Sequence, residues 1–152
     1  MRTVVILGIA LALAAIGPAA GAPKAQKVTV VLNEMSFTPS RVTVTAGTPV
    51  ELVLVNRGKQ KHEFMVYSLP RAGLAGEELE EWAKENTYFK GVEVTVETAG
   101  VEIEAEALME VELAPGRSVT LEFTPQRKGT FEIGCHVEGH YEAGMKGTFV
   151  VR

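Results

Sequence analysis

The chain reads as all-β, an antiparallel sandwich of two sheets carrying an inserted short helix and hairpin, because three features of the sequence agree. Short alternating segments rich in Val and Thr recur from Val28 onward, Gly and Pro punctuate them at close intervals, and a helical period shows in one short segment, residues 76–86. Many short strands with frequent turn signals are the pattern of two packed antiparallel layers.

Four strands are expected in the first half, over residues 28–33, 41–45, 50–56 and 62–68, with turns at Thr38-Pro39-Ser40, Ala46-Gly47-Thr48-Pro49 and Arg57-Gly58-Lys59. At least three more follow, over residues 118–123, 130–134 and 146–151. On the strand that begins at His62, alternation puts Phe64 and Val66 on the core face beside the histidine, and Glu63, Met65 and Tyr67 on the other.

Residues 71–114 interrupt the pattern. Leu79, Trp82 and Ala83 fall on one helical face behind a glutamate-rich first turn, so a short helix is expected to cap the sandwich. Residues 92–97 and 101–107 alternate strictly about Ala99-Gly100, the pattern of a hairpin with one wet face. Residues 109–113 either extend its second strand or begin the next. This insertion holds twelve glutamates against Arg71, Lys84 and Lys90, within a chain of net charge −4. Such a balance serves as a solvated strand face that resists aggregation, or as a flank that steers a basic partner.

The first residues carry targeting features: Arg2, an apolar run over 4–16, a Gly17-Pro18 break and the small residues Ala19-Ala20-Gly21-Ala22. Residues 1–22 are therefore expected to be a signal peptide, the apolar run being short for a bilayer span. Residues 23–152 then form a single domain of about 130 residues. The mature protein is expected to be periplasmic or otherwise extracytoplasmic, with no stable membrane insertion after cleavage. There a lone thiol must be buried or metal-bound.

The chemistry concentrates between Gly134 and Gly147. Cys135-x4-His140-x4-Met145 holds the only cysteine and, with His136, two of the three histidines. Taken singly, the cysteine and methionine read as core fillers and the histidines as loop residues. Together they are soft donors plus imidazole, a set that selects copper, and the missing second Cys argues against zinc. A second imidazole is needed, from His62 or His136.

This loop, with Gly129-Thr130-Phe131 before it and Gly147-Thr148-Phe149-Val150-Val151 after it, resembles the C-terminal signature of the cupredoxins, the type 1 blue copper family of plastocyanin, azurin and rusticyanin. The spacing is most similar to that of rusticyanin and auracyanin. Upstream, Met35-Ser36-Phe37-Thr38-Pro39, the run from Val42 to Thr48, Asn56 and His62-Glu63-Phe64 resemble the family's N-terminal half. The match covers residues 28–69 and 114–152 and leaves the insertion outside it.

The resemblance implies a Greek-key cupredoxin domain holding one copper ion per chain through His62, Cys135, His140 and Met145. It implies a carrier of single electrons between redox proteins, such as a c-type cytochrome or a membrane oxidase, with His140 near the surface in an apolar docking patch. A monomer without nucleic-acid partners is expected. His136 follows Cys135 directly and should point away from the site, so it is left out of the ligand set. One departure is Glu63, where azurin-like and plastocyanin-like members commonly place an Asn that braces the cysteine loop. An ionised carboxylate accepts hydrogen bonds but donates none.

Three histidines are too few for the extra cluster of a multicopper oxidase, one cysteine cannot bridge a dinuclear centre, and no Ser-His-acid or phosphate-loop pattern is present. A carrier is expected, not an enzyme. The rival readings are a periplasmic protein that binds and delivers copper with the same residues, and a metal-free interaction module of the same fold.

Overall fold

A computed structural model describes residues 23–152; the expected signal peptide at 1–22 lies outside the described residues. The strands are β1 (Gln26–Asn33), β2 (Ser36–Thr38), β3 (Arg41–Val44), β4 (Val50–Asn56) and β5 (His62–Ser68), then helix α1 (Gly76–Glu85), then β6 (Val94–Thr98), β7 (Val101–Ala105), β8 (Val111–Leu113), β9 (Ser118–Phe123), β10 (Gly129–Gly134) and β11 (Lys146–Val151). One sheet has the order β2-β1-β4-β9-β6-β7 and the other β3-β11-β10-β5-β8. Within this sandwich two pairs run parallel, β1 with β4 and β3 with β11, and the remaining pairs are antiparallel.

Alternation sets the core. β4 turns Val50, Leu52 and Leu54 inward, and β9 adds Val119, Leu121 and Phe123. The facing sheet contributes Phe64, Val66, Phe131, Ile133, Phe149 and Val151. Because successive side chains leave a strand on opposite faces, one face of each strand supplies the apolar contact that holds the layers together.

β5 is buried on both faces. Its outer face carries Met65 and Tyr67, which α1 covers with Ala83 and Trp82 in a second small cluster. The helix therefore lies on the outer side of the sheet instead of closing an end of the sandwich, with Leu79 and Ala83 buried as the helical period predicts. Trp82 Nε1 donates to Ser68 O at 3.2 Å, and the Arg71 guanidinium sits 4.7 Å from the indole.

The chain then returns to the core. Tyr88 N donates to Val66 O at 2.7 Å, and Tyr88 and Phe89 are buried edge-on against Phe131 and Phe123. These two aromatics belong to the main core although they lie inside the insertion. The hairpin forms, with β6 extending the first sheet against β9. Its second strand is wet on both faces instead of one: β7 is the sheet edge, and Val101 and Ile103 remain 54% and 52% exposed. Residues 109–113 begin a new strand, β8, which pairs His62 with Leu113.

Candidate metal centre

His62 opens β5 on its inward face, and β10 ends one residue before Cys135, in register with Met65 of β5. That antiparallel pairing carries the cysteine across to the histidine. The segment between Cys135 and Met145 is closed by the neighbouring strands β10 and β11, where Gly134 pairs with Lys146. Within it, His140 N donates to Val137 O at 2.9 Å, Met145 N to His140 O at 2.9 Å and Cys135 N to Met145 O at 3.2 Å. Gly139 and Gly144, at φ +76° and +100°, take the left-handed conformation this winding requires.

His62, Cys135 and His140 converge, all three buried, with one donor atom from each lying within 4.8 Å of the others. The two Nδ1 atoms are 3.2 Å apart, and Cys135 Sγ is 3.5 Å from His140 Nδ1. A first-row metal bound at about 2.0–2.3 Å to N and S spans edges of roughly 3.2–3.8 Å between its ligands, so the observed separations fit a single ion. Met145 is fully buried and shares backbone hydrogen bonds with both Cys135 and His140.

The electrostatics also point to a cation. Burial pushes the Cys135 thiol above its ordinary range, opposed by the backbone N–H groups of Glu63 and Val137. Burial, reinforced by His140, holds His62 below the ordinary imidazole range. The three donor atoms face one another across a small buried space; a cation bound between them would stabilise the thiolate. His62 Nε2 is buried with no hydrogen-bond partner, against Gly58, where an added Cβ would come within 2.5 Å of it.

His136 lies apart from this triangle. Its Nε2 is 3.0 Å from Tyr67 Oη and its ring stacks on Tyr141, with centroids 5.2 Å apart. Glu63 braces the cysteine loop in two ways: its carboxylate accepts from His136 N at 3.2 Å, and its own N–H donates to Cys135 Sγ at 3.4 Å. An acceptor was all that the side-chain position required. On the same outer side, Tyr67 and Tyr141 both donate to Glu132, at 3.1 and 2.6 Å.

His140 is more enclosed than the resemblance implies, only 3% exposed, and Gln60 Oε1 lies 3.2 Å from its Nε2. Gln60, Gly58, Asn56 and the Tyr67-Glu132-Tyr141 cluster were not foreseen as parts of the site. Asn56 falls among the residues that carry the resemblance; for Gly58 and Gln60 the sequence signal is their proximity to His62.

The sequence matches the family described as cupredoxin-like domain over residues 3–81, and that described as multicopper oxidase over residues 93–152. Two curated relatives bear the name copper-resistant cuproprotein CopI. The one from Pseudomonas aeruginosa is 30% identical, covering 89% of this chain and 81% of its own length. The one from Rubrivivax gelatinosus is also 30% identical, covering 86% and 70%. Among solved structures, auracyanin A, a "blue" copper protein of Chloroflexus aurantiacus, superposes with a TM-score of 0.55 at 22% identity, over 85% of this chain and all of that one. This last likeness bears on the fold alone.

Proposed function

The chain belongs to the cupredoxin-like family, and from that premise we propose that it is an extracytoplasmic type 1 copper protein that carries single electrons between redox partners. The donor set fits one copper ion. The residues that would hold it are His62 through Nδ1, Cys135 through Sγ, His140 through Nδ1 and Met145 through its soft thioether. Bound copper supplies a one-electron couple between Cu(II) and Cu(I). The protein's part is to hold the donors in one arrangement for both states.

The observation that carries this reading is the enclosure of three converging donors on braced backbone. His62 and Cys135 sit at the ends of strands paired in one sheet, and His140 sits in a loop tied by its own backbone bonds. Donors fixed in this way need little reorganisation when the charge on the ion changes. The Glu63 N–H directed at Sγ favours the thiolate, and burial excludes water.

Glu77, Glu80, Glu138 and Glu142 line a cleft with His136 and Tyr141, next to the cysteine loop. These carboxylates support a reading in which a basic redox partner, such as a c-type cytochrome, is steered towards the centre from this side. No helix among the described residues is long and apolar enough to cross a membrane. We assign residues 1–22 as a signal peptide and residues 23–152 as the single copper domain.

A second reading is favoured by the names of the two relatives at 30% identity: a protein that binds copper to withstand or deliver it. The two separate in one experiment. A visible absorption and EPR spectrum of the oxidised, copper-loaded protein should show an intense thiolate-to-copper band and one tightly held copper. A pale Cu(II) form that surrenders its metal readily to a chelator would replace electron transfer with copper handling.

A further inference from the structure

The five residues between β4 and β5 touch the back edges of both histidines. Gly58 lies against His62 Nε2, and Gln60 Oε1 lies 3.2 Å from His140 Nε2. The loop is held from beneath by Asn56, the one inward residue of β4 that is not apolar. Asn56 Nδ2 donates to Gln60 O at 2.9 Å and to Leu113 O at 2.7 Å, and its Oδ1 accepts from Gly58 N at 2.8 Å. Arg57 N and Gly58 N both donate to Leu32 O, at 2.9 and 3.2 Å, and Lys59 N donates to the Glu34 carboxylate. The backbone at residue 60 is therefore fixed even though the Gln60 side chain is exposed.

With Oε1 facing the ring, Gln60 accepts, an arrangement that favours the His140 tautomer with its proton on Nε2. In that tautomer Nδ1 keeps its lone pair toward Cys135 and His62. The same amide lies against the Nε2 edge of the buried ring. We propose that Gln60, set by Asn56, is the positioning residue of the centre: it selects the metal-binding tautomer of His140 and seals that ligand from water. This rests on the ligand assignment above.

The test follows the His140 Nε2–H proton by NMR in the metal-free and Cu(I) forms of the whole protein, with the rate of copper loss to a Cu(I) chelator measured alongside. In the parent protein the proton should reside on Nε2 and exchange slowly. Gln60→Ala should keep the thiolate-to-copper band, yet speed both proton exchange and copper loss about tenfold or more, the range seen when the hydrogen-bond partner of a metal-bound histidine is removed. Gln60→Glu restores an acceptor and should return exchange towards the parent rate while lowering the reduction potential. Exchange and copper loss within twofold of the parent in Gln60→Ala would overturn the assignment, as would an Nδ1–H tautomer in the parent. Failure of the ligand reading looks different: no stoichiometric copper in the parent itself, with the metal-free proton measurement still deciding the role of Gln60.

Discussion

The loop beneath His140 and the β6–β7 hairpin are both short segments with polar sequences, and the fold treats them oppositely. Residues 56–60 are tied down at the copper end: the Asn56 amide donates to two carbonyls, Lys59 N–H donates to the Glu34 carboxylate, and the Gln60 amide oxygen faces a ligand ring. The hairpin tip at Ala99-Gly100 joins a strand whose apolar side chains Val101 and Ile103 stay about half exposed. The difference teaches where this molecule requires exact placement. Buried donors must be over-determined, because a misplaced imidazole or thiol inside the core has no water to satisfy it. An edge strand facing solvent on both sides carries no such demand, and its glutamates keep it soluble.

The largest effect that would break this contrast is expected at the ligands. His140→Ala should open the centre and change the absorption and EPR spectra of the copper form outright, whereas His136→Ala, next to Cys135 in sequence but with its ring turned to Tyr67 and Tyr141 on the outer face, should leave them nearly intact. Equal loss of colour in both would mean that the ligand assignment is wrong.

Next in size is Gly58→Ala. The new methyl would sit 2.5 Å from His62 Nε2 and 3.0 Å from both its Cδ2 and Glu34 Oε1. Overpacking of this kind costs about 1–3 kcal/mol, so the urea midpoint of the metal-free protein should fall, and the copper spectrum should shift as the His62 ring moves. An unchanged spectrum with unchanged stability would show that the loop yields where it has been described as fixed.

A smaller, purely electronic effect belongs to Glu63→Gln. The amide oxygen can still accept from His136 N, so the loop brace survives, while a half-buried negative charge beside Cys135 Sγ is removed. The oxidised state, with one more positive charge, loses more stabilisation than the reduced state, so the reduction potential measured by voltammetry should rise. A fall would place the carboxylate's influence elsewhere. The smallest effect is expected on the hairpin: Ile103→Thr, at a side chain 52% exposed, should change stability by less than about 0.5 kcal/mol and leave copper binding unaltered. A large loss there would reveal a covering partner or copy.

Period-2 alternation made most strands legible, within one or two residues at their ends, and it placed His62 with Phe64 and Val66 on the inner face of β5 and Met65 and Tyr67 on the outer. The helical period marked α1 and its buried Leu79 and Ala83, but not which surface they would cover, since periodicity defines a face and not its partner. β2 escaped notice because three residues are too few to show a period. Tyr88 and Phe89 escaped because they pack as a pair in an irregular segment between helix and hairpin. At the centre, the cysteine, histidines and methionine announced themselves by type and spacing. Gln60 and Asn56 did not: Asn56 bonds to a carbonyl 57 residues ahead and Gln60 to a ring 80 residues ahead. Contacts at that separation are created by sheet pairing and leave no local trace.

The pairing of β5 with β10 has a temporal meaning. Residues 65–68 meet residues 131–134 across a long intervening stretch of chain, and only when that pairing is made does His62 reach the cysteine loop that β10 and β11 close. Distant pairings of this kind form late and slowly in folding. The three donors therefore do not exist as a set in a nascent or half-folded chain: metal capture must await the finished sheet, and denaturation should release the ion in the same step that melts the strands.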